Sequence, residues 1–244
     1  MKLISLNIQN NLHNQVVLNF IKKEKPDVVC FQECLEEDFE FFKKELGFQG
    51  VFQASGYIRG VTYPELKSKK YGVAIFTRTI INSGHLFYAG TEENALKPFE
   101  EYMSNENFRK NNALVWIKIE DTGKTPFLFI TTHLPVTEKG TTTPYQLEVV
   151  SEFLEKLKTF KEFILCGDMN ALRGKEAFNK IAEKYKDNIP EEYKTSIDQN
   201  LHRVKGLQNM VDGLFTTPLY KASNVKLVDG LSDHMAIVAE IFRN

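Results

Sequence analysis

Polar side chains stand where apolar runs stop. Asn7 follows KLISL, Glu33 follows DVVCFQ, His133 follows LFITT, and Asp168 and Asn170 follow FILCG. Asp212 interrupts the apolar VDGLF, and Ser232, Asp233 and His234 lead into MAIVAEIF. The set holds up to four carboxylates, two carboxamides and two histidines, with no thiolate. Such an oxygen-rich group suits Mg²⁺ or Mn²⁺ rather than structural zinc. Phosphoester cleavage asks for these types: a base for water, donors for the phosphorane oxygens and a hard cation. In an open α/β sheet, ligands sit in the crevice outside the carboxyl ends of strands.

Each residue also has an ordinary reading. Asn7 would cap the helix that follows, Glu33 would be a first-turn acid of the next helix, and His133 a hydrogen-bonded structural histidine. Asp168 and Asn170 would bond the backbone of a turn. Asp212 needs a partner in any case, because an unpaired buried carboxylate is costly. An adjacent acid and base, as in SDH, is the hardest to read as decoration.

Strands and helices must carry these tips. KLISLNI reads as a strand, and HNQVVLNFIKKEKP as a helix closed by Pro26 with Val16, Val17, Phe20 and Ile21 on its inner face. DVVCFQE is a second strand and LEEDFEFFKKELG a second helix. Strands are expected near 47–53, 71–77, 80–87 and 111–119, with a long acidic loop at 88–110. TPFLFITTHLP is a strand ending on His133, a helix runs from about Pro144 to Lys158, and FILCGDMN is the next strand. Strands near 210–216, 224–228 and 235–242 complete the chain. Strand, polar tip, helix and strand therefore occur twice, which predicts two sheets packed face to face with helices outside. No linker or short repeat appears, so residues 1–244 read as a single domain.

Composition narrows the class. The 244 residues are 42% hydrophobic and 26% charged, as in ordinary globular enzymes. Lys+Arg 31 against Asp+Glu 32 gives a net charge of −1, which disfavours a clamp on long duplex DNA. Cys30, Cys34 and Cys166 form no CxxC pair and read as buried thiols of a reducing compartment. No run reaches membrane-spanning length and the start shows no signal pattern, so a cytoplasmic location is expected.

SLN, FQE, TTHL, GDMN, VDGLF and SDH, in that order over residues 5–234, resemble the endonuclease/exonuclease/phosphatase superfamily. In motif style the nearest branch is that of tyrosyl-DNA phosphodiesterase 2 and related bacterial proteins. The resemblance implies a four-layer αββα sandwich of two mixed sheets with outer helices. It also implies a Mg²⁺-dependent (or Mn²⁺-dependent) phosphodiesterase whose substrates are nucleic-acid ends or short single strands. The alternatives are a phospholipid or inositol-phosphate headgroup hydrolase, and a catalytically silent binding protein of the same fold. By resemblance Glu33 is the main metal ligand, with Asn7 and Asp233 beside it. Asp168 handles the attacking water, Asn170 holds phosphate or nucleophile, His234 steadied by Asp212 stabilises the phosphorane, and His133 donates to a phosphate oxygen. Arg109, and Tyr57 and Arg59 in GYIRG, are candidate substrate contacts.

Overall fold

The computed structural model describes residues 1–61, 63–104, 111–121, 124–137 and 140–244. The chain opens with β1 (Lys2–Asn7), α1 (Asn14–Glu24) and β2 (Val28–Leu35). α1 stops where Lys25 turns left-handed ahead of Pro26. It buries Val17, Leu18 and Ile21, whereas Val16, expected inside, is 50% exposed. α2 (Glu36–Leu46) sets Glu36, Glu37 and Asp38 at its positive end and is closed by left-handed Gly47. β3 (Gln49–Tyr57), a 3-10 turn at Pro64–Leu66, β4 (Lys70–Thr77) and β5 (Asn82–Ala89) follow.

The stretch expected to be a loop at 88–110 is partly helical, with α3 (Glu92–Ala95) and α4 (Phe99–Ser104). Thr91 Oγ1 accepts the Asn94 N–H at the start of α3. Phe99 of α4 meets the Tyr57 ring edge-on at 5.7 Å. Helices this short stand on tertiary contact rather than on a local periodic pattern. Arg109 lies outside the described residues.

β6 (Asn112–Asp121), β7 (Lys124–His133), α5 (Pro144–Leu157) and β8 (Ile164–Asp168) come next. α5 begins as its sequence predicts, with Thr143 Oγ1 accepting the Gln146 N–H and Pro144 in the first turn. The chain ends with α6 (Glu176–Ala182), β9 (Lys186–Asp187), β10 (Asp212–Thr216), β11 (Tyr220–Val228) and β12 (Ala236–Arg243). α6 and β9 are too short to show a period and were not expected.

Two six-stranded mixed sheets result, ordered β11-β12-β1-β2-β4-β3 and β5-β6-β7-β8-β10-β9. Between them lies a core that includes Leu3, Val28, Cys30 and Ile75 from one sheet and Val115, Phe129, Ile164 and Cys166 from the other. The outer face of the first sheet packs Ile4, Leu6, Phe31 and Phe76 on α1 and α2 through Val17, Ile21 and Phe42. The second sheet packs Ile130, Leu165 and Phe215 on α5 and α6 through Val150, Phe153 and Phe178. These are the four layers. Central strands buried on both faces are apolar at nearly every position, which is why β2 and β8 read as continuous runs. The sheets do not divide the chain into halves, because β11 and β12 return to the first sheet beside β1.

Candidate active site

Strand register assembles the polar tips. β1 and β2 run parallel with Asn7 beside Gln32, so Glu33 comes one residue beyond. In the other sheet His133 of β7 lies beside Asp168 of β8, and Asp212 of β10 lies across from Asp168. His133, Asp168 and Asp212 thus form one row over three strands. His234 enters from the segment before β12, where it bridges antiparallel to Ile197.

Local backbone finishes the aiming. The β2–β4 ladder slips between Phe31 and Cys34, and Glu33 within the slip has φ 50. A bulge with a left-handed glutamate turns that side chain out of the ladder at a conformational cost of roughly 1–3 kcal/mol. Asn170 is also left-handed, φ 44. Gly167 serves close approach, since a Cβ there would lie 2.1 Å from the Thr132 carbonyl oxygen.

One carboxylate sits at the centre. Asp168 Oδ2 accepts from Asn7 Nδ2 at 3.1 Å and lies 3.4 Å from His133 Nε2 and 3.8 Å from His234 Nε2. Its Oδ1 accepts the Asn170 N–H at 2.8 Å. Asn7 Nδ2 also donates to Glu33 Oε1 at 3.2 Å, while Asn7 Oδ1 accepts the Gln9 N–H. Asn170 Nδ2 lies 2.8 Å from His133 Nε2 and donates to the Leu134 carbonyl. His234 Nδ1 pairs with Asp212 Oδ2 at 2.8 Å.

Charge follows from this geometry. Burial pushes the Asp168 carboxyl up, but His234, His133 and the Asn170 N–H prevail and hold it down at about 2. Burial opposes charge on His234, yet Asp212, Asp168 and Asp233 outweigh it and raise the imidazole well above its ordinary range. His133 is raised likewise by Asp168 and Glu33 against burial. Burial and then the Glu33 charge push Asp233 up to about 6, with His234 opposing. Four acids therefore crowd a small volume. Glu33 also lies 4.0 Å from His133 Nε2, and His234 and His202 act against the rise of Asp233.

That crowding fits a hard divalent cation. Glu33, Asp168 and Asp233 offer oxygen donors, the chemistry magnesium selects. Asp168, Asp212 and His234 also bring ligand atoms within 4.8 Å of one another. His234 is already engaged by Asp212. Asn7 turns its nitrogen, not its oxygen, toward Glu33 and Asp168.

Two of the ordinary readings are met, since Asp168 bonds the backbone N–H of Asn170 in a turn and buried Asp212 has its partner in His234, whereas those of Asn7 and Glu33 are not. α1 starts after His13 with no side-chain cap, Glu33 lies inside β2 before α2, and His133 joins the Asp168 group. The cluster is built without Tyr57 and Arg59. Tyr57 lines a small cavity with Leu35, Glu36, Lys69 and Lys70, and Arg59 is exposed after β3.

Several neighbours escaped the sequence reading. Gln9 Nε2 donates to the Tyr63 hydroxyl at 2.8 Å, and His13 Nε2 lies 3.1 Å from Gln9 Oε1. Ser196 Oγ accepts the N–H groups of Val211 and Asp212, both at 3.1 Å. Below the cluster, Gln32 Nε2 donates to Thr131 Oγ1 at 2.8 Å and ties the two sheets together. The polar run NIQNN after β1 was the available signal for Gln9. Nothing local marks Ser196.

Solved structures share this architecture. An endonuclease/exonuclease/phosphatase family protein from Bacteroides thetaiotaomicron superposes with a TM-score of 0.77 at 16% identity, over 100% of this chain and 98% of that one. The mannosyl-6-phosphatase Bt3783 of Bacteroides thetaiotaomicron VPI-5482 gives 0.72 at 16%, over 99% of both chains. D. rerio TDP2, complexed with a single-strand DNA product, gives 0.69 at 13%, over 99% of this chain and 98% of that one. No curated protein sequence matches the chain. Likeness at this identity shows the fold. The family model adds sequence evidence along residues 4–234, the span that contains every polar tip from Asn7 to His234. On that match the chain belongs to the endonuclease/exonuclease/phosphatase family, whose members are hydrolases.

Proposed function

We propose that this chain is a divalent-metal-dependent phosphodiesterase that hydrolyses a P–O bond with activated water, acting on nucleic-acid ends or short single strands. One observation carries the reading. Asp168 is held ionised between two imidazoles, with Asn170 on its second oxygen and Glu33 reached through a shared Asn7 amide.

Glu33 and Asp233 would hold Mg²⁺ or Mn²⁺, with Asn7 fixing the Glu33 carboxylate. The cation supplies charge neutralisation and polarisation of a phosphoryl oxygen when bound. Asp168 accepts a hydrogen bond from the attacking water and orients it. A carboxyl held near 2 is a weak base, so it aligns the nucleophile and takes its proton as the P–O bond forms. His234, kept protonated by Asp212, donates Nε2–H to the phosphorane oxygens. His133 Nε2 would donate to a phosphate or leaving oxygen once that oxygen displaces the Asn170 amide nitrogen now 2.8 Å from it. Retention of the whole set argues against a silent binding protein.

Bis-p-nitrophenyl phosphate, oligonucleotides and phospholipids, each assayed with and without Mg²⁺, test this directly. Release of product from the first two, abolished by a chelator and restored by Mg²⁺, is expected. Turnover indifferent to the chelator would overturn the metal role, and phospholipid cleavage without nucleotide cleavage would overturn the substrate class.

A further inference from the structure

Beyond Asn7 the backbone keeps hold of β2. The Ile8 N–H donates to the Gln32 carbonyl and the Asn10 N–H to the Glu33 carbonyl, both at 3.1 Å. Gln9 and Asn10 are left-handed, with φ 50 and 59, and so is Glu33 with φ 50. The turn after β1 and the bulge in β2 therefore interlock, and Gln9 is the residue between the two bonds. Its own N–H donates back to Asn7 Oδ1 at 3.1 Å.

That bond decides which end of the Asn7 amide meets the acids. With Oδ1 taken, Nδ2 donates to Glu33 Oε1 at 3.2 Å and to Asp168 Oδ2 at 3.1 Å. A reversed amide would turn an acceptor toward two acceptors.

A left-handed backbone is unfavourable for glutamine, and the side chain shows what holds it. Gln9 is 8% exposed, its Nε2 donates to the Tyr63 hydroxyl at 2.8 Å, and His13 Nε2 lies 3.1 Å from its Oε1. A carboxamide oxygen only accepts, so that imidazole nitrogen carries a proton. Tyr63 comes from the segment between β3 and β4, and His13 directly precedes α1. Two separate segments thus grip one side chain.

We propose that Gln9 is a positioning residue for the catalytic group: gripped by Tyr63 and His13, it stays left-handed, and its N–H fixes the Asn7 amide toward Glu33 and Asp168. The role rests on the phosphoesterase reading above and adds to it a residue that acts through Asn7.

Alanine and glycine at position 9 separate backbone conformation from side-chain anchoring. Both remove the two side-chain bonds, but glycine adopts the left-handed region freely and alanine does not. Gln9→Ala should lower Mn²⁺ affinity in calorimetric titration, and kcat/KM on bis-p-nitrophenyl phosphate, by about tenfold or more, the scale of losing a partner that orients a ligand. Gln9→Gly should stay within about threefold of the unmodified protein in both. Should Gln9→Ala not fold, Tyr63→Phe takes its place, with a loss of about twofold or more on its own and none when added to Gln9→Gly. An equal loss in both backgrounds overturns the role. Full Mn²⁺ affinity and turnover in Gln9→Ala, or an equal loss in Gln9→Ala and Gln9→Gly, also overturns it and leaves the phosphoesterase reading standing. No turnover in the unmodified protein, with the alanine–glycine order kept in Mn²⁺ affinity, overturns the phosphoesterase reading alone. Neither binding nor turnover in the unmodified protein overturns both.

Discussion

Asp168 and Asp38 are both buried carboxyls, and their surroundings push them in opposite directions. Asp168→Asn removes one acid from a crowd of four, so folding should survive it with a near-native melting temperature. Turnover should fall by about 10²-fold or more, the scale of losing a base or transition-state donor, and His234→Ala should behave alike. A cleanly folded, fully active variant of either would refute the mechanism. Asp38 receives Asn14 Nδ2 at 2.6 Å, but its Oδ2 and Asn14 Oδ1 have no partner among the described residues. Burial, above all, pushes its carboxyl from 3.8 up to about 6. The unfolded chain releases that proton more readily, so the group disfavours folding above about pH 6, and this cost disappears as pH falls toward 4. Asp38→Asn should therefore stabilise the protein at pH 7.5 by about 1–3 kcal/mol and have little effect near pH 4. Thermal melts at the two pH values check this, and an equal gain at both would assign it to packing instead.

At the scale of elements, β7 and β8 approach so closely at Thr132 and Gly167 that no side chain fits between them. Gly167→Ala should cost more than about 3 kcal/mol through backbone displacement, and it should lower turnover in whatever protein still folds. A denaturant titration that shows a loss under 1 kcal/mol would contradict the close approach. Elements were also the most legible level of the sequence. Strand tips at Asn7, His133 and Asp168 announced themselves because double-sided burial leaves few polar residues inside such strands, whereas Glu33, read as the end of its strand, lies at a bulge inside β2. The face of α1 was read one residue off, with Val16 outside and Leu18 inside, since VVL offers two nearly equal apolar stripes. Gln9, Tyr63 and Ser196 stayed hidden. They sit on loops without a period, and Tyr63 meets its partner Gln9 from 54 residues away. The left-handed turn at Glu33 was equally illegible, because nothing in FQE favours it over a straight strand.

For the whole molecule, acidic side chains gather at one edge of the first sheet. Glu92, Glu93, Glu100 and Glu101 lie on α3 and α4, which pack beside β3 at the edge of the first sheet. β3 is two ladders from β2, about 10 Å, and charge is screened over about 8–10 Å in physiological salt. Glu92 and Glu101 are paired with His85 and Lys97, and a long duplex that ran from Glu33 across β3 would meet the remaining acids at phosphates beyond the reacting one. Short single strands should be cleaved with higher kcat/KM than internal sites of a long, end-blocked duplex. A duplex preference that grows at low salt would reveal a basic footprint and reverse this expectation.

The place of β12 sets a timetable for synthesis. It inserts between β11 and β1, with Lys2 paired to Glu240 and Met1 N donating to the Ile241 carbonyl. A ribosome working at about 5–20 residues per second delivers that partner roughly 10–50 s after β1 has formed. Until then β1 presents an open, apolar hydrogen-bonding edge, the kind that recruits strands from other chains. His234, the proposed phosphorane donor, is delivered by the segment before β12, so the strand that covers the edge of β1 also brings that imidazole to Asp212.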